Sequence, residues 1–221
     1  ATVERKDGMT ELLYMFIGPK IYSQERKDMD EVEVRAIQYE HDHPEYKNDE
    51  FDYRGNIKYS TMINHISDFI PRRQFILRIL KDLIFESNEK QIMILSHKRD
   101  LLDYLENEII QEGFASCGQY VGGMKQLALQ NSETKQIVLA TYAMAAEALD
   151  IKTLNTLVMV SPKTDIIQSV GRILRTRSDG KIIVDIVDSH DVFQNQWKKR
   201  RAYYKKSQYK IVMKKSNEYK D

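Results

Sequence analysis

Gln91-Ile92-Met93-Ile94-Leu95 is a short apolar run opened by one amide. It reads as a strand buried on both faces. Outward from it the chain becomes regular. Residues 100–111 have the spacing of an amphipathic helix. Three more short apolar runs follow at Ile137 to Ala140, Leu157 to Val160 and Lys181 to Val187, with a helical stretch from Asp165 to Leu174 before the last. Strands alternating with helices of this length predict parallel βαβ units in a covered sheet, hence an α/β domain.

Upstream the pattern is weaker. Leu12 to Ile17 is a brief apolar run, and Val32 to Tyr39 (VEVRAIQY) has the β-branched content of a strand. Glu40 to Asn56 is polar and predicts an exposed loop. Residues 60–69 and 72–85 have helical spacing, separated by Pro71. In the second of these Phe75, Ile76, Ile79, Leu80, Leu83 and Ile84 form one apolar stripe. From Asp191 onward the chain reads as one long, basic, Tyr-rich helix. Its Trp197, Tyr204 and Ile211 are expected to pack on the domain while Lys and Arg face water.

Composition narrows the classes. Of 221 residues, 42% are hydrophobic and 30% charged, which fits a globular chain with a real core. No apolar run approaches the ~18 residues of a membrane span, and the first residues lack a secretory pattern. The lone Cys117 excludes an internal disulfide and a Cys-rich zinc site, and suits a reducing compartment. His41 and His43 lie in an acidic stretch that suits solvent better than metal, and no metal site is expected. Net charge is only +1, but it is unevenly spread. Residues 25–54 carry eleven acidic against five basic groups, and residues 197–221 ten basic against two acidic. The second imbalance points to a polyanion partner near the C-terminal end.

In open parallel sheets ligands bind beyond the C-terminal strand ends. Three polar clusters fall there: Ser96-His97-Lys98-Arg99, Thr141 through Asp150, and Gln168 to Arg175. Arg172 and Arg175 are three apart and share a helix face, with Gly171 permitting close approach and Gln168 on the same side. Two guanidiniums so placed can clamp phosphate oxygens. Gly122-Gly123 and Lys125 could approach a phosphate from a neighbouring loop.

These clusters resemble the motifs of superfamily 2 helicases. QSVGRILR (168–175) is similar to motif VI, LATYAMAAEALD (139–150) to motif V, IMILSHKR (92–99) to motif IV, and YVGGMK (120–125) to the segment between IV and V. Ala1-Thr2 with Glu4-Arg5-Lys6-Asp7-Gly8 resembles the end of motif III. One departure is Glu147-Ala148, where many members carry Arg-Gly. Within the superfamily the chain looks most like the DNA helicases of large cytoplasmic DNA viruses and phages.

The resemblance implies a RecA-like fold, with residues 1–86 forming the interdomain connection and opening elements and residues 87–221 the core and basic terminal helix. It implies that Arg172 and Arg175, beside Gln168, reach ATP as arginine fingers, with Gly171 close by, and that Asp150 contacts the nucleotide ribose or steadies an arginine finger. Ser96, His97, Lys98, Arg99, Gly122, Gly123, Lys125 and Thr141 would meet nucleic-acid backbone. No G-x-x-x-x-G-K-[ST] or D-E-x-H motif occurs in these residues, so the chain looks like a C-terminal part, inactive alone and holding no cofactor tightly. ATP and Mg²⁺ would belong to the complete enzyme, and the N-terminal RecA-like domain would be the partner in cis. The expected activity is that of a DNA helicase working inside the cell, in the cytoplasm or a virus factory, on single strands or forks, with RNA as another substrate. The alternatives are a duplex translocase or transcript-release factor without strand separation, and a non-catalytic binding module.

Overall fold

The computed structural model describes residues 9–18, 21, 32–147, 151–166, 170 and 180–218. The motif III resemblance at residues 1–8, together with Asp150, Gln168, Gly171, Arg172 and Arg175, lies outside them. In chain order the elements are α1 (Thr10–Ile17), β1 (Val32–Tyr39), α2 (Pro44–Lys47), α3 (Tyr59–Asp68), α4 (Ile70–Glu86), β2 (Ile92–Ser96), α5 (Arg99–Glu112), β3 (Cys117–Tyr120), α6 (Gln126–Glu133), β4 (Ile137–Thr141), α7 (Tyr142–Glu147), β5 (Thr156–Met159), β6 (Lys181–Asp188), α8 (Asp191–Lys206) and β7 (Lys210–Lys215).

Among the described residues one seven-stranded sheet runs β3-β4-β2-β5-β6-β1-β7, and every pairing between its strands is parallel. This is the α/β RecA-like architecture, with helices on both faces. Period-two alternation divides the core. Ile92, Ile94, Ile137, Leu139, Val184 and Ile186 join α3, α4 and α5 on one face. Met93, Leu95, Val138, Ala140, Ile183 and Val187 join α7 and α8 on the other. Both faces being covered explains why β2, β4 and β5 are continuous apolar runs and why β6 is apolar between its charged positions.

Packing corrects several local expectations. Pro71 does not separate α3 from α4; it sits in the first turn of α4, where its missing N–H would have had no helical partner. The expected apolar stripe of α4 is buried throughout. The polar stretch 40–56 is not all exposed loop. It contains α2, whose Tyr46 is buried and bonded through its hydroxyl to Tyr39 O and Asp188 Oδ1, each at 3.1 Å. The terminal helix closes at Lys206. Gln208 adopts φ +58°, and the chain returns as β7 against Glu33–Gln38 of β1. Within α8 Trp197 and Tyr204 are buried, and Ile211 of β7 is half-buried against the same core.

Two buried ion pairs flank β6. Asp185 and Asp188 are three residues apart, so they point to opposite faces. Arg72 of α4 grips Asp188 in bidentate fashion, Nε–Oδ1 2.6 Å and Nη2–Oδ2 2.8 Å. Arg200 of α8 grips Asp185 likewise, Nε–Oδ2 2.8 Å and Nη2–Oδ1 2.9 Å, with the Tyr204 hydroxyl 3.0 Å from Oδ2. Each carboxylate is thereby satisfied without water, the condition under which a buried charge is tolerated.

Candidate nucleic-acid and nucleotide interface

Because the strands are parallel, their C-terminal ends share one edge of the sheet. Ser96 ends β2 and pairs in register with Thr141, the last residue of β4. Tyr120 ends β3, and the loop of Val121 to Lys125 follows. The fold therefore gathers three separate sequence clusters at one edge.

Their side chains differ in what they can offer. Ser96 is fully buried, and its hydroxyl is held 3.0 Å from the Lys98 N–H and 3.2 Å from Ser161 Oγ. The Ser96 hydroxyl thus faces inward and shapes the turn. His97 lies at the surface with its ring centroid 4.7 Å from that of Tyr142, and its Nε2 is 3.0 Å from the Pro162 carbonyl. Lys98 is half-buried, and its ammonium has no partner among the described residues. Arg99 opens α5 and donates through Nη2 to the Gly122 carbonyl, tying the β2 and β3 loops together. Gly123 has φ +87°, which only glycine adopts freely. Lys125 is exposed at the start of α6, and Thr141 is half-buried with no hydroxyl partner among the described residues. Lys98, Arg99, Lys125 and Thr141 thus supply the cations and a hydroxyl, while Ser96 and His97 hold the loops.

The strongest feature of this edge was not visible in the sequence. After β5 the chain runs through Val160, Ser161, Pro162 and Lys163, and each carbonyl takes a side-chain donor. Arg72 Nη2 reaches Val160 O at 2.8 Å, the Tyr142 hydroxyl Ser161 O at 2.7 Å, and Arg200 Nη1 Lys163 O at 2.9 Å. Pro162 O accepts from the Tyr59 hydroxyl at 3.0 Å and faces His97 Nε2 at the same distance. Burial pushes the Tyr142 phenol well above its ordinary range, so it stays a neutral donor. The Lys163 ammonium stands 4.7 Å from the centroid of the Tyr142 ring, and burial lowers its pKa. Donors from α3, α4, α7, α8 and the β2 loop thus fix one backbone segment, which leads in sequence toward Gln168 to Arg175.

Other candidates are accounted for locally. His43 Nδ1 accepts from Glu45 N–H at 3.3 Å and caps α2, while His41 Nδ1 accepts from His43 N–H at 3.1 Å. His190 is buried with Nε2 2.6 Å from Tyr46 O. Among the described residues no group of His, Cys, Asp or Glu could hold a metal, and no helix is long and apolar enough to cross a membrane.

Residues 76–177 match the helicase conserved C-terminal domain. With this match and this sheet, residues 76–177 carry a helicase conserved C-terminal domain on a RecA-like fold. A protein of Acanthamoeba polyphaga mimivirus, provisionally named an ATP-dependent RNA helicase, is 35% identical over 226 residues, covering 96% of this chain. The chain spans 42% of that relative's length. Phage T4 UvsW superposes with TM-score 0.61 at 17% identity, over 84% of this chain and 41% of its own. Saccharomyces cerevisiae Dbp5, bound to RNA and ADP BeF3, gives 0.61 at 13% identity, over 99% and 51%. At these identities the two structures bear on the fold alone.

Proposed function

We propose that this chain is the C-terminal motor half of an ATP-dependent helicase or translocase, and that its sheet edge carries a nucleic-acid strand. The observation that supports this reading is the meeting of Lys98, Arg99, Lys125 and Thr141 from three loops on one edge. Lys98 and Thr141 would hold backbone phosphates, and Arg99 would keep Gly122 and Gly123 positioned for a close approach. Such contacts position a strand without reading its sequence. Arg172 and Arg175, with Gln168 and Gly171, would face the triphosphate on an N-terminal RecA-like domain, and Asp150 would contact the nucleotide. An arginine finger stabilises developing phosphoryl charge and is worth about 10³–10⁵ in rate in related systems. The described residues offer Mg²⁺ no set of carboxylates, so we assign no metal step to them.

The motifs alone suggest DNA; the name of the mimivirus relative favours RNA. Direct binding decides between them. Fluorescent single-stranded DNA and RNA of equal length are titrated with this chain and with Lys98→Ala and Thr141→Ala. Both variants weaken binding, and Lys98→Ala lowers the salt slope by about 0.7, one phosphate's share for a single strand. Unchanged binding in both variants removes this edge from the interface.

A further inference from the structure

Beside the β2 loop an open groove of about 270 Å³ is lined by Tyr59, Ser60, Ile63, Asn64, His97 and Lys98. That volume lies just below the range of drug-sized ligand pockets, in keeping with a site for one unit of a longer strand. Its α3 wall lies outside the 76–177 segment that matches the helicase domain. Tyr59 and His97 are pinned side by side, since both meet the Pro162 carbonyl at 3.0 Å. The Tyr59 ring is also braced edge-on against Phe193, at 6.1 Å between centroids. The groove is thus built on side chains whose positions are already set.

Opposite chemistry lines the rest. Ser60 and Asn64 are four apart on α3 and share a face. Both are exposed, and neither hydroxyl nor amide has a partner among the described residues; nor has the Lys98 ammonium. Ile63 supplies an apolar floor. One cation, two neutral hydrogen-bonding groups, an apolar surface and fixed rings match the parts of a nucleotide: phosphate, sugar and base edge, and base face.

We propose that this groove takes the sugar and base of one nucleotide of the bound strand, whose phosphate rests on Lys98. This rests on the reading that the strand lies along the sheet edge. Asn64 and Ser60 hydrogen-bond the sugar or base edge, so α3 supplies a second half to the interface.

The test uses this chain with fluorescein-labelled oligouridylate, the same oligomer with abasic sugars, and oligodeoxyuridylate. Asn64→Ala with Ser60→Ala is expected to weaken binding of the intact oligomer about three- to tenfold, the share of one or two modest hydrogen bonds. The salt slope should stay as in the wild type, and the loss should shrink on the abasic oligomer if base contacts dominate. A loss on oligouridylate larger than on oligodeoxyuridylate, which differs only at the sugar, assigns the bond to the 2′-hydroxyl. Asn64 and Ser60 are exposed, and an unchanged urea midpoint checks that the fold is intact. If the double variant binds every oligomer as the wild type does while Lys98→Ala weakens binding, the strand passes over the edge without entering the groove, and the inference fails alone. If neither the wild type nor Lys98→Ala shows salt-dependent binding, the reading of the edge fails with it.

Discussion

His97, in the loop after β2, meets Pro162, in the loop after β5, through Nε2 and a carbonyl 3.0 Å apart. One of these loops carries Lys98, proposed above to hold a strand, and the other leads in sequence to Arg172 and Arg175, proposed above as arginine fingers. Tyr142, which directly follows Thr141, bonds the neighbouring carbonyl of Ser161. A strand pressing on His97 or Thr141 therefore acts on a backbone segment with little freedom to yield.

The Tyr142 hydroxyl is the most accessible probe of that anchor. Tyr142→Phe keeps the ring but leaves the buried Ser161 carbonyl without its donor. An unsatisfied buried acceptor costs about 1–3 kcal/mol. Urea denaturation should show a lower midpoint with an unchanged slope.

Arg200 serves two masters, Asp185 and the Lys163 carbonyl. Arg200→Ala strands a buried carboxylate and should destabilise by about 3–5 kcal/mol. Arg200→Met combined with Asp185→Leu should recover much of that loss, because no lone charge remains. A double variant no more stable than Arg200→Ala would show that the carbonyl bond, and not charge balance, dominates.

The two glycines of the β3 loop should respond differently. Gly123→Ala forces a side chain into φ +87° and should destabilise by about 1–2 kcal/mol. At Gly122 an added Cβ would meet the flexible end of Arg99 at 3.4 Å, so Gly122→Ala should change stability less. Thermal unfolding of both variants makes the comparison.

Cys117 should be a slow nucleophile. Burial, helped by the nearby charge of Glu106, raises its thiol to about 11. The thiolate fraction at neutral pH is then small, and reaction with a disulfide reagent should accelerate up to strongly alkaline pH. A rate that plateaus near neutral pH would contradict this placement.

How much of this was legible depended on whether side chains or backbone did the work. The buried strands β2, β4 and β5 announce themselves as unbroken apolar runs, and β6 as one interrupted by Asp185. The edge strand β7 does not: Lys210, Lys214 and Lys215 make it resemble the basic helix before it, as suits an edge guarded against further pairing. Ser161-Pro162-Lys163 left no signature because its carbonyls carry the role. Arg200 was hidden among Lys198, Lys199 and Arg201, although the buried positions Phe193, Trp197, Arg200 and Tyr204 keep strict helical spacing. The two aspartates in the apolar run of β6 were the other available clue to the buried pairs. The site clusters were legible as motifs, but only the fold separates Ser96, turned inward, from Lys98, turned outward.

The central claim is that this domain completes an ATPase on another domain. The direct measurement is nucleic-acid-stimulated ATP hydrolysis by a chain extended upstream to include a P-loop domain, with and without Arg172→Ala, and with the present chain as blank. The account predicts turnover in the extended protein, none in the blank, and a loss of about 10³-fold or more in the variant while nucleic-acid binding is kept. Turnover unchanged by Arg172→Ala would contradict it and would leave the domain as a binding module with a helicase fold.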